Sequence, residues 1–296
     1  MSYARFKRMT DAARPYPALW RLFLGLITAM IVAFAWMAGV VWAVAFLTGS
    51  DTMGTFVGMI EPGTTSPGTT ALYLFLIVGT GLGAVVAAAI WHKRRPGTLF
   101  GPGARTLRHF AISAALSLGA MVLLALVFLP FIERPEVNMT FGLWLLWLPV
   151  GILALIAQTG AEEVLFRGYI QSQLGARFKS PAIWLFLPAL LFGAIHYQPQ
   201  MPDHLVFTII IVATVFGLLA GDLTARTGSI GAAWGFHFAN NALVILLVAA
   251  DGSLTGLGLF KSEMNFEDLA VLSPLIVVEI LTLTAIWALI RRVLAS

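Results

Sequence analysis

Residues 139–168 read MTFGLWLLWLPVGILALIAQTGAEEVLFRG. Apolar side chains run without a formal charge from Met139 to Ala161 and end on Glu162, Glu163 and, four residues later, Arg167. At about 1.5 Å per residue, roughly twenty such residues cross the hydrocarbon of a bilayer. The segment is apolar all round, as a membrane-embedded helix is and a surface helix of a soluble domain is not. The sequence therefore predicts a spanning helix over 139–161 that continues as helix to 174, with two carboxylates and a guanidinium near one end.

The same pattern recurs on both sides. Apolar runs at 23–47, 71–91, 110–132, 182–197, 205–221, 229–250 and 269–290 complete a set of about eight spans, of which 182–197 and 205–221 are short for a crossing. Breakers separate them: EPGTTSPGTT (61–70) and RRPGTLFGPGAR (94–105) remove backbone donors at proline and loosen the chain at glycine. The expected fold class is all-α: a polytopic membrane helical bundle enclosing an intramembrane polar chamber. Residues 1–296 are expected to form one integral-membrane domain, with 139–250 as its motif-bearing core.

Composition agrees. Of 296 residues 59% are hydrophobic and 11% charged, against about 25% charged in a typical soluble domain. No cysteine is present, which excludes thiolate nucleophiles, disulfides and thiolate-bound metals. The net charge of +4 comes from basic groups bordering apolar runs, and no nucleic-acid-binding, Walker or dinucleotide motif accompanies it, so nucleic acid is not an expected partner. With both termini in the cytoplasm, all of the 18 lysines and arginines except Arg134 and Lys261 fall on the cytoplasmic half. The first apolar run follows Arg5, Lys7, Arg8, Arg14 and Arg21 and is too long for a cleaved signal core, so it reads as a retained span. The short loops and basic inner rim suit a bacterial cytoplasmic membrane.

Ionisable groups inside spans are costly, by a few kcal/mol each even on permissive scales, and mark function. Three stretches carry them. In AEEVLFRG (161–168), Glu163 and Arg167 stand one turn apart and suit an ion pair; Glu162, about 100° round the helix, is left to face the interior, unless a rotation or kink near Gly160 exchanges the two roles. In FGAIH (192–196), His196 follows Phe192 by one turn. In HFANN (237–241), His237 and Asn241 share a face. Asp222 and Arg226, also one turn apart, read as a structural clamp, and GLLAG (217–221) permits close helix contact, within the chain or between copies.

These groups support water activation. A carboxylate can take a proton from water, imidazole can orient that water or exchange a proton with a leaving amine, and a histidine with an asparagine amide can donate to a tetrahedral oxyanion. Peptide hydrolysis needs these parts. Zinc held by Glu162, His196 and His237 is the competing arrangement, although the HExxH helix signature is absent.

In this order the motifs resemble those of the CAAX-protease and bacteriocin-processing family of intramembrane endopeptidases. Glu162, Glu163 and Arg167 match its EExxxR motif, Phe192 and His196 its FxxxH motif, and His237 and Asn241 its HxxxN motif. The resemblance implies that Glu162 activates water with His196, that His237 and Asn241 form the oxyanion site, and that Glu163, Arg167 and Phe192 support them, without a metal or other cofactor. The implied substrate is a membrane-associated peptide or protein, prenylated CaaX proteins included. Relatives serving in immunity or regulation keep a non-catalytic scaffold open as an alternative; an ion-coupled transporter is a remoter one, unsupported by any internal repeat.

Overall fold

The computed structural model describes residues 3–60, 66–128, 135–199, 201–250, 254–262 and 269–294. Its principal helices are α1 (Leu19–Thr48), α2 (Thr52–Ile60), α3 (Pro67–His92), α4 (Gly103–Phe128), α5 (Phe141–Arg177), α6 (Pro181–Ala194), α7 (Asp203–Thr227), α8 (Gly231–Leu247) and α9 (Leu269–Leu294). Arg134, one of the two basic residues assigned to the outer side, and residues 61–65 of the first breaker loop lie outside the described residues.

Among the described residues six helices are long and apolar enough to cross a bilayer: α1, α3, α4, α5, α7 and α9. The chain is an all-α bundle built as an integral membrane protein. The apolar helices α6 and α8 are shorter. One expectation changes: the sixth run, read as short at 205–221, is a 25-residue helix. It continues past Gly221 because its polar end is satisfied locally. Arg226 Nε bonds Asp222 at 2.8 Å, Thr227 Oγ1 donates to the Leu223 carbonyl at 2.8 Å, and Gly228 closes the helix in the left-handed region at φ 69°. Asp222 also accepts from Tyr3 Oη at 2.9 Å and Trp287 Nε1 at 3.0 Å, so the clamp read from the sequence ties the N-terminal segment and α9 to α7.

Side-chain oxygens start α3 and α5. Ser66 Oγ accepts from the Thr69 amide at 3.1 Å ahead of Pro67 on α3, and Thr140 Oγ1 accepts from the Leu143 amide at 3.4 Å on α5. Inside α5, residues Val164–Gln171 widen into a π-helical stretch directly after the two glutamates. Such stretches often sit at functional sites.

Small residues then let backbones approach. Gly217 of α7 packs on Ala189 of α6, which assigns the GLLAG contact to the inside of this chain, and Gly235 of α8 packs on the backbone of α4 at Ala114. Gly81 of α3 lies against Ala161 of α5, next to Glu162, where an added Cβ would stand 2.7 Å from the Ala161 Cα. Gly81→Ala is therefore expected to lower stability by about 1–3 kcal/mol through overpacking and to depress activity by moving α5. Thermal unfolding in detergent checks the first effect; an unchanged melting temperature would contradict this packing.

A three-stranded sheet, ordered β1–β3–β2, is an addition that the sequence reading does not anticipate. It joins β1 (Glu136–Val137), β3 (Phe260–Ser262) and β2 (Val248–Ala250) at the end of α8. Asn138 Nδ2 donates to the carbonyls of Thr255 and Gly258 at 2.8 Å each. Large apolar side chains of α1, among them Phe23, Met30, Phe34, Trp42 and Phe46, are exposed, and such a face needs lipid or protein to cover it.

Candidate active site

The stretch of α5 just before its π-helical widening packs against the short helix α8, and their polar side chains meet. Arg167 Nη1 donates to Glu163 Oε1 at 2.9 Å, with the two side chains 2% and 0% exposed. The same carboxylate oxygen lies 2.9 Å from His237 Nδ1. An ionised carboxylate only accepts, so Nδ1 carries its proton and the other ring nitrogen, Nε2, turns toward Glu162. It stands 3.6 Å from Glu162 Oε2. The packing of α8 against α5 therefore brings Glu162 and His237 together.

Glu162 and Asn241 are joined through a residue that the sequence reading misses. Gln158 Nε2 donates to Glu162 Oε1 at 2.7 Å, and Gln158 Oε1 accepts from Asn241 Nδ2 at 3.1 Å. Gln158 precedes Glu162 by four residues, the spacing that exposes the Glu163–Arg167 pair, and that spacing was the signal available. Tyr73 of α3 lies within electrostatic range of Glu162, and nothing in the sequence points to it.

Aromatic rings wall the cluster. Arg167 lies over the Phe192 ring, 4.7 Å from its centroid, and His237 packs against Phe192 at 5.7 Å and Phe216 at 5.0 Å. A guanidinium over a ring face gains a cation–π attraction that strengthens when water is excluded. The backbone carbonyl of Gly217 takes Arg167 Nη2 at 3.4 Å, so the close approach of α7 supplies the guanidinium's second acceptor.

His196 stands apart from the hydrogen-bonded cluster. It packs on Phe192 at 4.9 Å, and its Nδ1 donates to the Phe192 carbonyl at 2.7 Å. A carbonyl cannot donate, so in the neutral ring Nε2 holds the lone pair. The structure thus gathers Glu162, Glu163, Arg167, His237 and Asn241 into one network, with Phe192 as its wall and His196 on that ring's border; no hydrogen bond joins His196 to Glu162. The zinc arrangement of Glu162, His196 and His237 is not formed: among the described residues no three histidine, aspartate or glutamate side chains gather as a ligand set.

Residues 140–243 match the type II CAAX prenyl endopeptidase Rce1-like family. The Rce1-like match runs from the cap of α5 into α8 and contains Glu162, Glu163, Arg167, Phe192, His196, His237 and Asn241. The chain is also similar to the "Uncharacterized protein YyaK" of Bacillus subtilis (strain 168), 29% identical over 192 residues that make up 62% of each protein. The chain thus spans less than two thirds of that relative's length. No solved structure matches. The motif core is thus similar to the Rce1-like family, and the buried Glu162/Glu163–His237 cluster lies inside the matched segment.

Proposed function

We propose that this chain is an intramembrane endopeptidase that hydrolyses a peptide bond of a membrane-associated substrate with a water activated by Glu162. The observation that supports it most directly is the position of Glu162 Oε2: buried, accepting no hydrogen bond from the described residues, and facing His237 Nε2 at 3.6 Å. Glu162 takes a proton from water as the resulting hydroxide attacks the carbonyl carbon. Asn241 and the protonated His237 donate to the oxyanion. The proton on His237 is balanced by Glu163 and passes to the leaving amine as the C–N bond breaks. The proton taken up by Glu162 then passes to the neighbouring His237 Nε2, which restores both groups. His196, with Nε2 as its basic nitrogen, orients the water from the other side of Phe192. Arg167 holds Glu163 in place.

In this reading residues 1–296 form one membrane unit with 139–250 as its catalytic core. Its eight apolar helices enclose a polar chamber, and both termini face the cytoplasm of a bacterial cell. A substrate bearing a prenylated C-terminus is the first to test. Purified protein in lipid vesicles is incubated with a prenylated CaaX peptide and with an unmodified membrane peptide, and the products are mapped by mass. Release of a C-terminal fragment from one of them is expected. Folded protein that hydrolyses neither would overturn the endopeptidase reading in favour of a docking scaffold.

A further inference from the structure

Gln158 is 4% exposed and engaged at both ends of its amide. Because an ionised carboxylate only accepts, the 2.7 Å contact with Glu162 Oε1 must be made by the Gln158 –NH2 group. Its carbonyl then faces α8, and only the –NH2 end of Asn241 can answer it, at 3.1 Å. One glutamine therefore fixes which oxygen of Glu162 is occupied and which way round the Asn241 amide sits.

We infer that Gln158 is the positioning residue that couples the base to the oxyanion donor. This rests on the endopeptidase reading and adds a residue that none of its three motifs contains. With Oε1 held by Gln158, Glu162 presents Oε2 to water, on the side of His237. With one Nδ2–H of Asn241 held, the second is directed away from Gln158, toward the space where a substrate carbonyl would develop charge. Without Gln158 the carboxylate can rotate and exchange its oxygens, and the asparagine amide can flip its carbonyl into that space, where it would repel an oxyanion. The device adds no charge to a cluster that already holds two glutamates.

The test is Gln158→Met, which keeps length and apolar volume and removes both hydrogen bonds, measured alone and with Asn241→Ala. A displacement of reacting groups by about 1 Å costs on the order of 10²-fold in rate. A loss in kcat of roughly ten- to a hundredfold is therefore expected, with KM within about twofold. In the Asn241→Ala background the further loss should shrink, because residues acting through one another are not additive. Full additivity, or a KM increase at unchanged kcat, would overturn the assignment. If the wild type hydrolyses nothing, the endopeptidase reading fails separately. The Gln158–Asn241 coupling is then read from the melting temperatures of the same three variants: non-additive shifts support it and additive shifts end it.

Discussion

Arg167→Met lowers the unfolding free energy by about 3–5 kcal/mol, the range for removing one partner of a buried ion pair. The magnitude follows from what is left behind. Glu163 is fully buried, and its Oε1 keeps only the bond to His237, so a carboxylate remains in a low-dielectric interior without its cation. Methionine also gives up the contact over Phe192 and the bond to the Gly217 carbonyl, which ties α5 to α7. Arg167→Lys keeps the charge, yet cannot reach Glu163 and Gly217 together from a planar fork, and should fall between the two. Adding Glu163→Gln to Arg167→Met removes the stranded charge and should recover part of the loss. Denaturant or thermal unfolding of the purified variants in one detergent checks the series. A double variant less stable than Arg167→Met alone would show that the pair does not act as described.

The contacts along one helix were legible in the sequence; those between helices were not. Glu163 and Arg167 share a face at i, i+4, and so do Asp222 and Arg226, and both pairs form. The bond from His237 to Glu163 joins residues 74 apart and depends on how α8 packs against α5, which hydropathy does not encode. That bond changes the division of labour read from the motif: Glu163 serves both Arg167 and His237. The end of α7 was missed because hydropathy counts Asp222 and Arg226 as a stop, whereas helix geometry lets them neutralise each other. The sheet was out of reach for another reason. Its strands have two or three residues, too few for an alternation pattern, and β1 pairs with β3 across more than a hundred residues. The π-helical stretch after Glu163 contains no proline to announce it.

Glu162→Gln is expected to reduce hydrolysis by roughly a thousandfold, within the range for removing a general base, while leaving the fold intact. The structure makes this substitution unusually clean. The new amide oxygen can still accept from Gln158 Nε2, which holds Glu162 Oε1 at 2.7 Å. The new –NH2 takes the place of Oε2 beside His237 Nε2, at the present 3.6 Å separation. Local bonds are conserved, and the group able to take a proton from water is gone. Glu163→Gln, one residue along, separates the two roles: Glu163 Oε1 accepts from Arg167 and His237 together, so losing its charge strands a buried guanidinium and lowers stability as well as activity. Adjacent glutamates should thus give opposite signatures, inactive but stable at 162 and destabilised at 163. The comparison requires cleavage rates and melting temperatures from the same preparations. A Glu162→Gln protein that keeps more than about a tenth of wild-type hydrolysis, against the loss expected of a base, would move the base elsewhere in the cluster, and His196 with its basic Nε2 would be the next residue to replace.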